Sequence, residues 1–479
     1  MKLSSEWLSP NIAALFNLSV ENGTYPCIFK TARVTPIFKN KGSRQSMDNY
    51  RPISVICNLS KVFEKLINDR LNRFFVSQCL LSQNQFGFRK NSNTELAVIN
   101  LMNKILPVLQ DKLYAFCIFL DFTSCFDTVN RRILMRKLER YGVRGLSLDF
   151  LRSYFEDRKH FVVFGDIESI VIDQEIGVIQ GSKNGTFIHD VYSNDLNSIC
   201  EGANIIFADD TCLFYSGGNL PELTNSVNEK LKLISSWCAF NRLAINPAKS
   251  EFMLITRKKV DIVPVIHIGD DEIRHRSSVK YLGLVIDENM KFSSHAMTLK
   301  GKLSFFAGVS YSLSRYFDVS SAKKYYYAFV YSSLTYAITV WGGILHSTRF
   351  GELLLKLQKK IVNNLFGVHS SSNCIFKEFR ILKIHDIHRL NVASYMFKNL
   401  KLNTCPSLNN CINLNYPQHY YSTRQRNMAI LPIPDTKSLR ICFNYQYTDI
   451  WNKIPDYIKN CDKLGRFKVA LIECLIGKY

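Results

Sequence analysis

No stretch of this 479-residue chain approaches the roughly 20 consecutive apolar residues that a membrane-spanning helix needs, so no membrane partner is expected. Met1 to Asn11 lack the apolar core of a signal peptide. The 14 cysteines include no C-x-x-C pair, and several (Cys117, Cys125, Cys212) lie inside apolar runs. Free buried thiols in a reducing compartment fit that pattern better than a disulfide framework. The expectation is an intracellular protein, of the nucleus or the cytoplasm. Internal repeats and low-complexity tracts are absent as well. Acid is the scarce charge: 40 Asp and Glu stand against 61 Lys and Arg, a net charge of +21. A field of that sign favours a polyanion, and nucleic acid is the commonest one.

What is present is a folding chain, 47% hydrophobic and long enough for two or three domains. Two of its few acidic strings stand out. They are Leu120-Asp121-Phe122-Thr123-Ser124-Cys125-Phe126-Asp127 and Phe207-Ala208-Asp209-Asp210-Thr211. Each follows an apolar run that reads as a buried strand, Ala115 to Leu120 and Asn204 to Ala208. A further apolar run, Thr211 to Tyr215, places Asp209-Asp210 at the tip of a two-residue hairpin. Such tips ask for glycine or asparagine, and two adjacent carboxylates repel, so a local rule is broken where function is expected. Three carboxylates on neighbouring strand ends would make an all-oxygen pocket suited to Mg²⁺.

Around these strings, strands and helices alternate irregularly, which predicts an α+β fold rather than a βαβ repeat. Strand signals fall at Val34 to Phe38, Ile53 to Ile56 and Tyr281 to Ile286, with a β-ribbon over 160–179. Helices are expected over residues 1–30 (Ile12, Leu15, Phe16 and Val20 on one face), Val62 to Phe75 (Phe63, Leu66, Ile67, Leu71), Leu96 to Leu109, Arg131 to Tyr141 and Leu223 to Phe240. A glycine-punctuated loop, Gln180 to Gly185, should lead into a helix near Phe187 to Leu196. From about residue 295 aromatic and basic helices take over. In Leu353 to Phe366, Leu354, Leu357, Ile361 and Leu365 share a face and Lys356, Lys359 and Lys360 lie off it, with Gly367 as C-cap.

Further strings occur in order: Ala32-Arg33-Val34-Thr35-Pro36-Ile37, Asn49-Tyr50-Arg51-Pro52-Ile53-Ser54 and Asn84-Gln85-Phe86-Gly87-Phe88-Arg89. After them come Val178-Ile179-Gln180-Gly181-Ser182, Ile245-Asn246-Pro247-Ala248-Lys249-Ser250 and Lys280-Tyr281-Leu282-Gly283. With the two aspartate sites, this order resembles the reverse transcriptase of non-LTR retrotransposons, most closely the jockey-like group. The resemblance runs from about Ser9 to Asp287 and continues more weakly beyond.

The resemblance implies a right-hand polymerase: an N-terminal helix (1–19), fingers and an antiparallel palm sheet (20–290), a thumb-like helical region (291–370) and a C-terminal region (371–479). It implies an RNA-directed DNA polymerase working on an RNA template, a DNA primer and deoxynucleoside triphosphates. Asp121, Asp209 and Asp210 would be the catalytic carboxylates, binding two Mg²⁺ ions. Phe126 would lie beneath the sugar of the incoming nucleotide and leave no room for a 2′-hydroxyl; an ordinary core phenylalanine is the competing reading. Lys39 or Lys41, with Arg51, would grip triphosphate oxygens, against the alternative of a solvated basic loop. Gln180 and Gly181 would contact template and nucleotide. Lys249 would protonate the leaving pyrophosphate, and Leu282-Gly283 would form the primer grip.

The chain also departs from the family pattern. Ile179 and Thr186 stand where prolines are usual, Lys183-Asn184 replace an apolar pair, and His189-Asp190 fall in an apolar helix start. Ser124 and Cys125 replace a lysine and an alanine. Buried polar groups without partners are costly, so the 183–190 stretch leaves a second reading open: an inactive nucleic-acid-binding remnant of the same fold. No string resembles the endonuclease of such elements, so integration would need that activity in trans or a pre-existing break supplying the 3′-hydroxyl. His385 and His388 lack nearby cysteines and read as structural, as do Cys405 and Cys411.

Overall fold

The computed structural model describes residues 5–179, 181–346, 349–367, 374–402 and 443–479. The longer strands are β1 (Thr31–Phe38), β2 (Tyr50–Val55), β3 (Tyr114–Leu120), β4 (Lys159–Phe164), β5 (Asn204–Phe207), β6 (Asp210–Gly217), β7 (Glu251–Thr256), β8 (Ser278–Tyr281) and β9 (Leu284–Asp287). Helices fill most of the remainder, and past Asp287 every regular element among the described residues is helical. The fold is α+β.

One sheet organises the molecule. Its strand order is Arg274–His275, β7, β3, β6, β5, with β3 paired antiparallel to both neighbours. Every residue from Ala115 to Leu120 is buried, because β3 separates two hydrophobic cores. Strand alternation sends Ala115, Cys117 and Phe119 into one core and Phe116, Ile118 and Leu120 into the other. The first core continues through the helix Thr94–Gln110 into the helical C-terminal region; the second holds the helices Arg131–Arg140, Leu146–Phe155, Lys183–Ser193 and Leu220–Phe240. A second sheet joins β2, β1 and β4, with β1 antiparallel to β2 and parallel to β4.

The structure corrects several boundaries. Residues 281–286 are not one strand but the turn and second strand of a hairpin: Tyr281 pairs with Leu284 across Leu282-Gly283, both turn residues at positive φ (46° and 81°). The helix expected from Phe187 begins at Lys183, because Ser182 caps it by accepting from Gly185 N at 2.9 Å. The ribbon ends at Asp173, and Leu146–Phe155 is an unforeseen helix. Leu15 and Leu66, placed on buried stripes, are exposed. In the helix Asn58–Ser77 the buried face turns toward Phe63, Glu64 and Ile67, where Glu64 accepts from Tyr154 Oη at 2.8 Å.

The helical region docks on the helix Thr94–Gln110 through half-buried Glu95, which accepts from Thr339 N at 3.1 Å and from Tyr395 Oη at 2.8 Å. Helix Arg349–Phe366 keeps Leu354, Ile361 and Leu365 buried and Lys356 and Lys360 exposed, and Gly367 ends it at φ 66°. His388 is fully buried and faces His346 at 3.4 Å, within the packing of this region; Cys405 and Cys411 lie outside the described residues. No single described helix is long and apolar enough to cross a membrane. The bent pair Val319–Thr335 and Ile338–His346 passes by length and composition, but Tyr326, Val330, Leu334, Ile338, Trp341 and Ile344 along it are buried in the protein's own core.

Candidate active site

Register brings the acids together. The last β3–β6 pair is Leu120 with Thr211, so one residue on in β3 and one residue back in β6 sets Asp121 across from Asp210. The hairpin tip differs by one residue from the sequence expectation. Phe207 pairs with Asp210, so the two-residue turn is Ala208-Asp209, not Asp209-Asp210. Ala208 takes the positive φ of 59° that the turn demands, which leaves Asp209 at the apex and Asp210 on the first rung of β6.

Two of the sequence strings build the backbone around these acids. Asp121 N–H donates to Ser250 Oγ at 3.2 Å, and its carbonyl accepts from Asn246 N at 2.8 Å. Phe122 bridges to Ile245, and Thr123 N donates to Ala244 O at 2.8 Å. The Ile245–Ser250 string therefore fixes where the chain leaves β3. The Asn84–Arg89 string does the same for the hairpin. Ile206 N donates to Asn84 O at 2.9 Å, Phe86 N donates to Ile206 O at 2.7 Å, and a Cβ on Gly87 would stand 2.3 Å from Ala208 N. Only glycine allows that approach.

The electrostatics mark a cluster. Desolvation raises the Asp121 pKa and the Asp209 charge adds to it, while Lys249, with Nζ 3.9 Å from Asp121 Oδ2, opposes. Asp210 is pushed up to about 6, by desolvation first and then by Asp209 and Asp121. Among the described residues no three acidic, histidine or cysteine side chains stand close enough to hold a metal ion by themselves. Mg²⁺ usually takes one or two carboxylates and completes its octahedron with water and phosphate oxygens. Hard oxygen donors that repel one another suit such a cation.

The other candidates divide into those near this cluster and those around it. Phe126 is partly buried, its carbonyl accepting from Val178 N at 2.9 Å. Gly181, at φ 101°, lies against β2, where a Cβ would meet Ser54 O at 3.2 Å. Arg51 is exposed on the same strand, opposite Ile37. Lys39 and Lys41 are exposed in the β1–β2 connection, and Lys39 Nζ donates to Asp48 O at 2.8 Å. Gln180 lies outside the described residues. The Leu282-Gly283 turn touches the helical region: Tyr336 Oη donates to Leu282 O, and Tyr281 Oη reaches Ile205 O in β5 at 3.4 Å.

Sequence reading missed how the odd residues of 183–193 are satisfied. Asp190 is buried, and its Oδ1 accepts from Gln85 Nε2 at 2.9 Å. Gln85 Oε1 in turn accepts from Gly87 N at 3.0 Å, beside the hairpin. The Arg89 charge reaches Asp190, although burial still pushes that carboxyl well up. His189 stacks on the Phe126 ring. The helix is thus joined to the string that supports Ala208. The signal was visible only as two anomalies 105 residues apart, a glutamine in one string and an aspartate in an apolar helix.

The match to the family model described as reverse transcriptase (RNA-dependent DNA polymerase) covers residues 38–286, more than half of the chain. The chain is 31% identical over 301 residues to the probable RNA-directed DNA polymerase from transposon BS of Drosophila melanogaster, covering 59% of this chain and 32% of that protein. It is 28% identical over 297 residues to the probable RNA-directed DNA polymerase from transposon X-element of the same organism, covering 61% of this chain and 32% of that one. The RNA-directed DNA polymerase from mobile element jockey of Drosophila funebris is 28% identical over 374 residues, 74% of this chain and 40% of that protein. The chain therefore spans between 32% and 40% of the length of these curated relatives. A sheet that carries Asp121 and the Asp209–Asp210 hairpin on adjacent strand ends lies inside the matched segment, and the chain belongs to the reverse transcriptase family.

Proposed function

We propose that this chain is an RNA-directed DNA polymerase, extending a DNA primer on an RNA template with deoxynucleoside triphosphates. The observation that carries the reading is the meeting of Asp121 with Asp209 and Asp210 at adjacent strand ends, where the Asp209 charge helps raise the pKa of Asp121 and those of Asp209 and Asp121 help raise that of Asp210.

Reverse transcriptases as a family use divalent metals, and here Asp121, Asp209 and Asp210 are the residues that would hold two Mg²⁺ ions. Such ions, when bound, lower the pKa of the primer 3′-hydroxyl and neutralise charge on the triphosphate. The residues do the rest. Asp121 and Asp209 orient the reacting groups from a rigid sheet edge. Exposed Arg51, with Lys39 or Lys41, supplies positive charge for triphosphate oxygens, and Gly181 lets the backbone approach nucleotide and template. Lys249 carries an exposed ammonium at the rim of the carboxylate cluster, where it can give a proton to the departing pyrophosphate. Phe126 walls the sugar site and excludes the 2′-hydroxyl. Leu282-Gly283 holds the primer end. Of the residues that favoured an inactive remnant, Asp190 is paired with Gln85 and His189 stacks on Phe126, which supports the enzyme reading.

The test is primer extension by the purified chain on poly(rA)/oligo(dT) with dTTP and Mg²⁺. Template-dependent extension that stops with EDTA is expected. Tight primer–template binding with no extension at any Mg²⁺ concentration would instead establish the inactive remnant.

A further inference from the structure

The ring that is to choose between sugars does not stand alone. Phe126 lies nearly parallel to the imidazole of His189, with centroids 4.5 Å apart and an interplanar angle of 22°. His189 belongs to the helix Lys183–Ser193 and is 4% exposed. Burial pushes its pKa down to about 4, so the ring is neutral at physiological pH. Its Nδ1 has no hydrogen-bond partner among the described residues, so no polar contact at that nitrogen explains why a histidine sits here. What it does contact is Phe126.

The support behind His189 is firm. Its carbonyl accepts from Ser193 Oγ at 2.9 Å, Asp190 is held by Gln85, and Asn194 Nδ2 donates to Leu80 O and to Tyr141 Oη, each at 2.9 Å. Phe126 is anchored differently. Its main chain is fixed from residues 177–178: Val178 N donates to its carbonyl, and Gly177 approaches so closely that a Cβ would stand 2.6 Å from Asp127 O. That anchoring leaves the ring free to change rotamer. The ring also packs against the second hydrophobic core, but the face of His189 is the aromatic plane it stacks on, and flat-on-flat packing holds a ring plane in a way an aliphatic side chain cannot.

We propose that His189 is a positioning residue for sugar selection, its imidazole plane fixing the Phe126 ring against the site of the 2′-hydroxyl. The inference rests on the reading of Phe126 as the wall of the sugar site and adds the element that sets its stringency. It also gives a physical role to a polar residue in an otherwise apolar helix.

The experiment compares kcat/KM for dTTP over UTP on poly(rA)/oligo(dT) in the wild type and in Phe126→Val, His189→Ala, His189→Leu, His189→Phe and the double variant Phe126→Val with His189→Ala. An aromatic pair of this kind is worth roughly two- to ten-fold in an equilibrium. His189→Ala and His189→Leu should lower the dTTP preference by roughly that factor, and His189→Phe should restore it. In the Phe126→Val background, loss of His189 should change the ratio little, because the ring it holds is gone. His189→Leu keeps the volume filled, so it serves if His189→Ala does not fold. A shift in the ratio with Phe126→Val but none with His189→Ala or His189→Leu overturns this inference and leaves the Phe126 reading standing. A ratio that Phe126→Val itself does not move removes both, as does a wild type that fails to extend. A His189 effect equally large without the Phe126 ring also overturns it, since the histidine would then act elsewhere.

Discussion

Asp121 leaves β3 with its N–H and carbonyl both bound by the Asn246–Ser250 turn and with an ammonium 3.9 Å from its carboxylate. Asp209 and Asp210 sit on a hairpin supported by a short backbone ladder and by Gly87 pressed against Ala208, and Asp210 feels two like charges. One end of the site is tied by hydrogen bonds and relieved by a lysine. The other is placed by packing and carries the electrostatic strain. The contrast teaches that a carboxylate cluster can be assembled from a half tied by hydrogen bonds and relieved by a lysine and a half whose Asp210 bears the larger shift.

The largest expected effect comes from removing either half. Asp121→Ala and Asp209→Ala should each lower the rate of dTTP incorporation by about 10³-fold or more, since each removes charge stabilisation worth several kcal/mol. Binding of primer–template, measured by fluorescence anisotropy, should be nearly unchanged. Retained extension near the wild-type rate in either variant contradicts the assignment of that residue.

Gly87→Ala attacks the packed half. A methyl 2.3 Å from Ala208 N must push the turn aside, costing about 1–3 kcal/mol of stability. Displacing Asp209 by even an ångström should cost about 100-fold in rate. Thermal melting and single-turnover extension separate the two losses. Ser250→Ala attacks the tied half more gently: one hydrogen bond to the Asp121 N–H is lost, worth about 1 kcal/mol, with an expected rate loss of only a few-fold. If Ser250→Ala proves more damaging to rate than Gly87→Ala, the contrast between the halves is reversed.

The smallest effect concerns charge alone. Asp210 has a folded pKa of about 6 against an ordinary 3.8. The folded state therefore holds more protons than the unfolded one between these values, and stability falls as pH rises through about 6. In metal-free buffer, Asp210→Asn should raise Tm above pH 6 and leave it unchanged below pH 4. The residue is solvent-exposed, so the gain should stay below about 1 kcal/mol. A stabilisation that is equal at all pH values would have another origin.

Much of this was legible in the sequence because it is local. A continuous apolar run marked the buried strand before Asp121, the acids broke a turn rule openly, and a helix was legible over Leu96 to Leu109, within the observed Thr94–Gln110. The hairpin register was misjudged by one residue because Ala208, which has no propensity for positive φ, adopts it beside the closely packed Gly87. The 183–190 stretch looked misfit because its compensation is non-local: Gln85 and Asp190, or Phe126 and His189, reveal nothing of each other until the chain is folded. Leu282-Gly283 shows the intermediate case, a turn hidden inside an apolar run and betrayed only by its glycine.

The central claim is that Asp121 and Asp209 serve one catalytic centre, and a double-mutant cycle tests it directly. Single-turnover dTTP incorporation on poly(rA)/oligo(dT) would be measured for the wild type, Asp121→Ala, Asp209→Ala and the variant carrying both. Groups acting as a unit are lost together, so the double variant should be about as slow as either single one. Losses that multiply, with the double variant slower by the product of the two single effects, would show that the aspartates act independently and that the strand ends do not form one site.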